Sequence, residues 1–177
     1  MSNIVYIATS IDGYISDRND GLDWLDIVPN PNESDFGWAD FMNRIDALIM
    51  GRKTFEKVCS FDCDWPYKKP VFVLSSSLKS LSKEYENKVE IIEGPLTDVI
   101  QTIKNKGYKN LYIDGGVTIQ NFLKEDLVDE IIITVIPVLL GGGTPLFADL
   151  PEQMEFECIN SEVLLNALIQ THYRRKR

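Results

Sequence analysis

Six apolar runs, regularly separated by segments of helical periodicity, constrain the fold more than any other feature of this chain. They are Ile4–Ala8, Ala47–Met50, Val71–Leu74, Val89–Ile92, Leu111–Ile113 and Ile131–Ile136, rich in Val, Ile and Leu. Runs of this length read as strands, and their continuous apolar character suits a sheet covered on both faces. Two more strands are expected near Phe156–Ile159 and Ala167–Tyr173, with no helix between them, so the sheet should close in a hairpin.

Between the runs, Leu96, Val99, Ile100 and Ile103 recur at i, i+3, i+4 and i+7, one face of a helix. Pro95 stands at the expected first helical position and Gly107 just past the end. Phe36–Arg44 and Thr54–Val58 are shorter helix candidates, and another helix should follow Gly116. Alternating strands and helices give an α/β fold: one mixed, mostly parallel sheet of about eight strands flanked by helices, in a single domain over residues 1–177.

The charge of the chain limits its partners. A formal net charge of −9 opposes long-range attraction to nucleic acid or an anionic membrane, so neither is an expected partner. An anionic ligand then needs a local pocket of cations and backbone N–H groups. Three cysteines (Cys59, Cys63 and Cys158) and one histidine (His172) offer no ligand set for zinc, and no metal is expected. An odd cysteine count, with an N-terminus that reads as a strand rather than a signal peptide, gives the expectation of a cytoplasmic protein with reduced thiols.

Five segments can carry chemistry. In Met50-Gly51-Arg52-Lys53-Thr54 a strand ends in glycine and a helix opens with two cations and a hydroxyl, a phosphate-binding arrangement. The alternative is an ordinary turn with two solvated cations. Leu74-Ser75-Ser76-Ser77 follows a strand and either caps a helix or faces a ligand at the strand end. Asp114-Gly115-Gly116-Val117 repeats the strand–glycine–helix geometry. Asp35 precedes Phe36 and Trp38; it is either a helix cap or a carboxyl whose pKa aromatic surroundings raise, as an acid catalyst needs. The glycines of Gly141-Gly142-Gly143 make either a flexible turn or a loop facing a cofactor. No G-x-G-x-x-G fingerprint is present, which disfavours a Rossmann domain.

Taken in chain order, these segments resemble the dihydrofolate reductase superfamily. Ala8 and Ile11-Asp12-Gly13-Tyr14-Ile15 are similar to its first strand and following loop, Leu22-Asp23-Trp24-Leu25 to the active-site Trp segment, and Asp35-Phe36-Gly37-Trp38 to the helix that begins with the catalytic acid. The run from Pro137 to Phe147 is similar to the reductase domain of the bifunctional riboflavin enzyme and its stand-alone relatives. The resemblance implies NADPH as cofactor, held by Ala8, Gly51, Arg52, Lys53, Thr54, Leu74, Ser75, Ser76, Gly115, Gly116, Val117 and Thr118. It implies Asp35 as substrate anchor and proton source, oriented by Thr134, with Tyr6, Trp24 and Lys69 on the substrate side, and a homodimer.

Folate reductases carry an Arg where Lys69 stands, and a Lys is not an equivalent fork for a carboxylate. The expected substrate is accordingly a pyrimidine or pterin heterocycle, foremost the riboflavin precursor 5-amino-6-(5-phosphoribosylamino)uracil. Dihydrofolate is the alternative within enzymes, and an NADPH-binding protein without turnover is the alternative outside them.

Overall fold

A computed structural model describes residues 2–177. All eight expected strands form one sheet, most of them a residue or more longer than the apolar run that marks them. They are β1 (Ser2–Ser10), β3 (Ala47–Gly51), β4 (Val71–Leu74), β5 (Val89–Ile92), β6 (Asn110–Asp114), β7 (Glu130–Ile136), β9 (Phe156–Leu164) and β10 (Leu168–Arg175). Their order is β5-β4-β3-β6-β1-β7-β10-β9. The pairs from β5 to β7 are parallel, and β10 runs antiparallel to both β7 and β9. Two very short strands, β2 (Tyr14–Ser16) and β8 (Thr144–Pro145), pair separately. Neither is long enough to show a periodicity in the sequence.

Four helices join these strands: α1 (Trp38–Arg44), α2 (Arg52–Cys59), α3 (Leu96–Asn105) and α4 (Gly116–Lys124). The start of α1 corrects the expected Phe36. Phe36 and Gly37 both take positive φ, 56° and 85°, which a right-handed helix does not admit. Helix α2 opens at Arg52, directly after Gly51 as the strand–glycine–helix motif predicts, and so extends the Thr54–Val58 candidate by two residues at its start. Pro95 caps α3 from outside, with ψ at 142°, instead of occupying its first turn.

Each strand sends alternate side chains to opposite faces. Val5, Ile49 and Ile113 pack with Val99 and Ile103 of α3 and Ile119 and Phe122 of α4. Ile4, Leu48, Met50 and Val73 pack on the other face with Phe41 of α1 and Phe55 of α2. Burial of each such side chain stabilises the fold by about 1.5–3 kcal/mol. A third, smaller cluster gathers Trp24, Ile136 and Leu168, with Ala8 and Phe36 against it. The end of α1 is tied to the sheet by ions: the buried Glu130 accepts from Arg44 Nη2 and His172 Nε2, both at 2.8 Å. Because the parallel strands share one direction, Ser10, Gly51, Leu74, Ile92 and Asp114 all lie at one end of the sheet, where ligands bind in open α/β folds.

Candidate active site

Helices α2 and α4 start from adjacent strands, β3 and β6, and their first turns interlock. A Cβ on Gly115 would overlap the Thr54 hydroxyl of α2, and a Cβ on Gly51 would stand 3.0 Å from Thr118 Oγ1 of α4. Each helix therefore approaches the glycine that precedes the other, and Gly115 adopts φ +90° to allow it. Neither helix receives a side-chain cap, so the N–H groups of both first turns and the positive ends of both dipoles remain for an anion. The residues fit a dinucleotide pyrophosphate: two uncapped helix starts, with glycine permitting close backbone approach.

Beside them lies a groove of about 560 Å³ whose lining includes Arg52, Leu74, Ser75, Ser76, Gly94 and Lys124. Arg52 is exposed and held only by Glu56, one turn on, at 3.0 Å, a pairing weak enough to release it to a ligand. The serines do not cap a helix, the simpler of their two expected roles. Ser75 Oγ instead accepts from Leu78 N at 2.9 Å and Ser77 N at 3.2 Å, while Ser75 N donates to Ile92 O at 3.1 Å. The loop closes on itself at the ends of β4 and β5. Lys53 and Val117 are exposed in the first turns of α2 and α4, and Thr118 is buried. The segment Glu93-Gly94-Pro95, absent from the sequence-predicted site, also lines the groove; its only signal is its place before α3.

The other half of the site is built on β1, β7, β10 and α1. Ala8 pairs with Thr134 across β1 and β7 and packs beside Trp24. Trp24 is 6% exposed, and its Nε1 has no hydrogen-bond partner. Tyr6 stacks on Phe41 with centroids 4.6 Å apart and donates its hydroxyl to Phe36 O at 2.7 Å. Gln170 Nε2 donates to the same carbonyl at 3.1 Å, to Thr134 Oγ1 at 2.9 Å and to Tyr6 Oη at 3.3 Å. Two donors thus hold the carbonyl of a non-glycine residue in the left-handed region, a conformation that costs on the order of 1–2 kcal/mol. Sequence reasoning misses Gln170; its only signal is a polar residue directly after Leu168-Ile169 in a strand.

The geometry corrects the expectation for Asp35. Its carboxyl is exposed and accepts from Ala39 N at 2.9 Å and Gly37 N at 3.0 Å. These backbone donors, Ala39 first, hold its pKa below the usual carboxylate range. Asp35 is therefore an ionised cap at neutral pH, without the raised pKa that would make it a proton source. Nor does Thr134 bond to it; Gln170 stands between, bonding the threonine and the Phe36 carbonyl.

The carboxyl with the opposite property is Asp114. It ends β6 directly before Gly115, whose N–H it accepts at 2.8 Å. Part of the residue remains accessible, yet the surrounding protein desolvates the carboxyl and pushes its pKa up, against the hydrogen bond from Gly115 N. Two carboxyls with pKa values displaced in opposite directions are the usual mark of divided acid and anchor roles.

Two further segments differ from expectation. Lys69 precedes β4 at its amino end, where it acts on Asp46. Five steps of extended chain separate it from Leu74, roughly 16 Å, so the structure does not join it to the carboxyl-end groups. The glycine run is held against its neighbours at Gly142 and Gly143, while Gly141 faces open space. Asp12 accepts from Leu140 N at 3.1 Å and Gly141 N at 2.7 Å, and a Cβ on Gly143 would strike the Ser16 carbonyl. The small β2–β8 sheet it supports lies over Gly116, whose absent Cβ leaves room for Ile15 and Thr144.

Residues 3–169 match the model of the RibD C-terminal domain. The chain belongs to that family. It is 37% identical to the uncharacterized protein YwjB of Bacillus subtilis over 97% of both chains. It superposes with a TM-score of 0.98 on a candidate riboflavin biosynthesis protein from Shewanella sp. PV-4, at 58% identity and full coverage of both. A dihydrofolate reductase from Enterococcus faecalis, complexed with NADP(H), matches at TM-score 0.69 and 18% identity, over 99% of this chain and 97% of the other. The fold of this RibD C-terminal domain is thus dihydrofolate reductase-like. No helix among the described residues is long and apolar enough to cross a membrane.

Proposed function

We propose that this RibD C-terminal domain protein is an NADPH-dependent reductase of a pyrimidine- or pterin-type heterocycle. The observation that carries the reading is the interlock of two uncapped helix starts beside a groove holding Arg52. The first turns of α2 and α4 bind the pyrophosphate, and Arg52, Ser75 and Ser76 take the 2′-phosphate. Ala8, beside Trp24 at the carboxyl end of β1, faces the carboxamide of the nicotinamide.

The chemistry such a cofactor supplies is a hydride: a C=N acceptor takes it at carbon and a proton at nitrogen, becoming CH–NH. Asp114 delivers that proton, since its raised pKa keeps a larger protonated fraction near neutral pH than an ordinary carboxyl has. Asp35, ionised, anchors the ring through N–H donors. Tyr6 and Gln170 fix the turn that carries Asp35. The likeness to the candidate riboflavin biosynthesis protein of Shewanella favours a riboflavin precursor as the acceptor.

The test is to follow absorbance at 340 nm with purified protein, NADPH and a panel of pyrimidine and pterin acceptors. Oxidation dependent on one of them is expected. NADPH binding without oxidation of any acceptor would leave a binding protein and remove the enzymatic reading.

A further inference from the structure

The groove beside α2 and α4 carries charges of both signs. Arg52 and Lys124 line it together with Glu93 and Glu125, so its side chains are formally balanced. A phosphate monoester carries roughly −1.5 to −2 charges at neutral pH. Carboxylates on the wall of a groove repel such a group, and a site built for the 2′-phosphate alone gains nothing from them.

Each charged group is placed by its element. Val117, Asn121 and Lys124 recur at i, i+4 and i+7, one stripe of α4, and the latter two line the groove. Eight residues separate Gly116 from Lys124, about 12 Å along the helix axis. Helical side chains lean toward the N-terminus, so the Lys124 side chain leans back toward the first turn of α4. Glu93 stands directly after β5, at the end of the sheet where Leu74 and Gly51 also lie. Gly94 follows with φ 128° and Pro95 leads into α3, so Glu93 sits on a tight strand-to-helix turn.

These charges are not spent on holding the fold. Arg52 pairs with Glu56 alone, on its own helix. Lys124, Glu93 and Glu125 are exposed, and the ion pairs of the described residues leave all three out. Glu125 follows the last turn of α4, whereas Glu93 is the carboxylate at the strand end, where ligands bind in open α/β folds.

Nucleotide sites read the ribose 2′ position in two ways. A carboxylate accepts from the free hydroxyl, and a cation holds the phosphate. This groove presents both.

We propose that the groove takes NADH as well as NADPH: Glu93 accepts the ribose 2′-hydroxyl of NADH, and Lys124 joins Arg52 at the 2′-phosphate of NADPH. The proposal rests on the reductase reading and adds to it the residues that set the choice of nucleotide. Glu93 opposes the phosphate that the two cations attract, so the preference for NADPH is shallow.

The experiment is titration of wild-type, Glu93→Gln, Lys124→Gln and Glu86→Gln protein with NADPH and with NADH, followed by dihydronicotinamide fluorescence at about 0.15 M ionic strength. Wild-type dissociation constants for the two nucleotides should agree within about tenfold. Glu93→Gln should tighten NADPH by about two- to fivefold and weaken NADH by as much, the effect of one exposed charge. Lys124→Gln should weaken NADPH by about three- to tenfold and leave NADH within about twofold. Glu86 is exposed before β5, at the strand's other end; Glu86→Gln makes the same charge change there and should move neither nucleotide by more than about twofold. A wild-type preference for NADPH above about tenfold overturns the proposal. So does a Glu93→Gln preference within about twofold of wild type, or an unchanged NADPH affinity in Lys124→Gln. If the wild type binds neither nucleotide, the reductase reading falls as well; if NADPH binds saturably and one of these results appears, only the proposal falls.

Discussion

Thr54 and Gly115 compete for one position: the threonine hydroxyl of α2 stands where a Cβ on the glycine before α4 would be. With its counterpart, Thr118 against Gly51, this contact fixes the spacing of two helix N-termini on neighbouring strands. Gly115→Ala meets both a side-chain overlap and a φ of +90°, whereas Gly51 has φ −78° and a nearest atom at 3.0 Å. A left-handed alanine alone costs about 1–2 kcal/mol, and ~1 kcal/mol shifts Tm by roughly 2–4 °C in a chain of this size. Gly115→Ala should therefore lower Tm by about 2–8 °C or more, and Gly51→Ala by less. Thermal unfolding of both variants checks the order; the reverse order would contradict the interlock.

Asp114 carries a cost that its replacement should relieve. A carboxyl with a raised folded pKa holds its proton more tightly in the folded chain than in the unfolded one. Its contribution to stability is complete below the unfolded pKa, about 3.9, and is lost as pH rises through the folded value. Asp114→Asn should thus raise Tm at pH 7–8, by a few degrees for ~1 kcal/mol, with the advantage disappearing toward pH 4. The same variant should lower kcat by about 10²–10⁴. Unchanged turnover would remove the proton from Asp114.

Much of this arrangement is legible in the order of the amino acids. Six continuous apolar runs mark the parallel strands, two C-terminal segments without a helix between them mark the closing hairpin, and glycine at two strand ends marks both helix-start sites. The chemistry of individual residues is less legible, because it depends on solvation. Asp35 lies among aromatics in the sequence, yet the left-handed turn at Phe36 and Gly37 leaves its carboxyl in solvent. Asp114, inside a glycine motif that draws attention to its neighbours, is the desolvated one. Gln170 is remote from every other site residue in sequence, and only the antiparallel pairing of β10 with β7 brings it to Thr134.

Asp35 and Gln170 should separate cleanly in their effects. Asp35 accepts from Gly37 N and Ala39 N through different oxygens, and Asn keeps only one of those acceptors, so Asp35→Asn should lower Tm by no more than about 2–4 °C for one exposed bond while kcat/KM falls by about ten- to a hundredfold, the loss of one charged contact. Gln170→Ala removes donors to Phe36 O and Thr134 Oγ1 and should lower Tm by roughly 2–4 °C per ~1 kcal/mol lost. Melting curves and steady-state kinetics on both variants give the comparison. A Tm loss in Asp35→Asn with kcat/KM unchanged would return Asp35 to a purely structural role.

The central claim is that the groove beside α2 and α4 holds NADPH with Arg52 at its 2′-phosphate. Titration of wild-type and Arg52→Ala protein with NADPH and with NADH tests it most directly. Losing one charge-assisted contact costs about 1.5–3 kcal/mol. The variant should therefore bind NADPH roughly ten- to a hundredfold more weakly and bind NADH as the wild type does. Equal losses for both nucleotides, or no saturable NADPH binding by the wild type, would contradict the account.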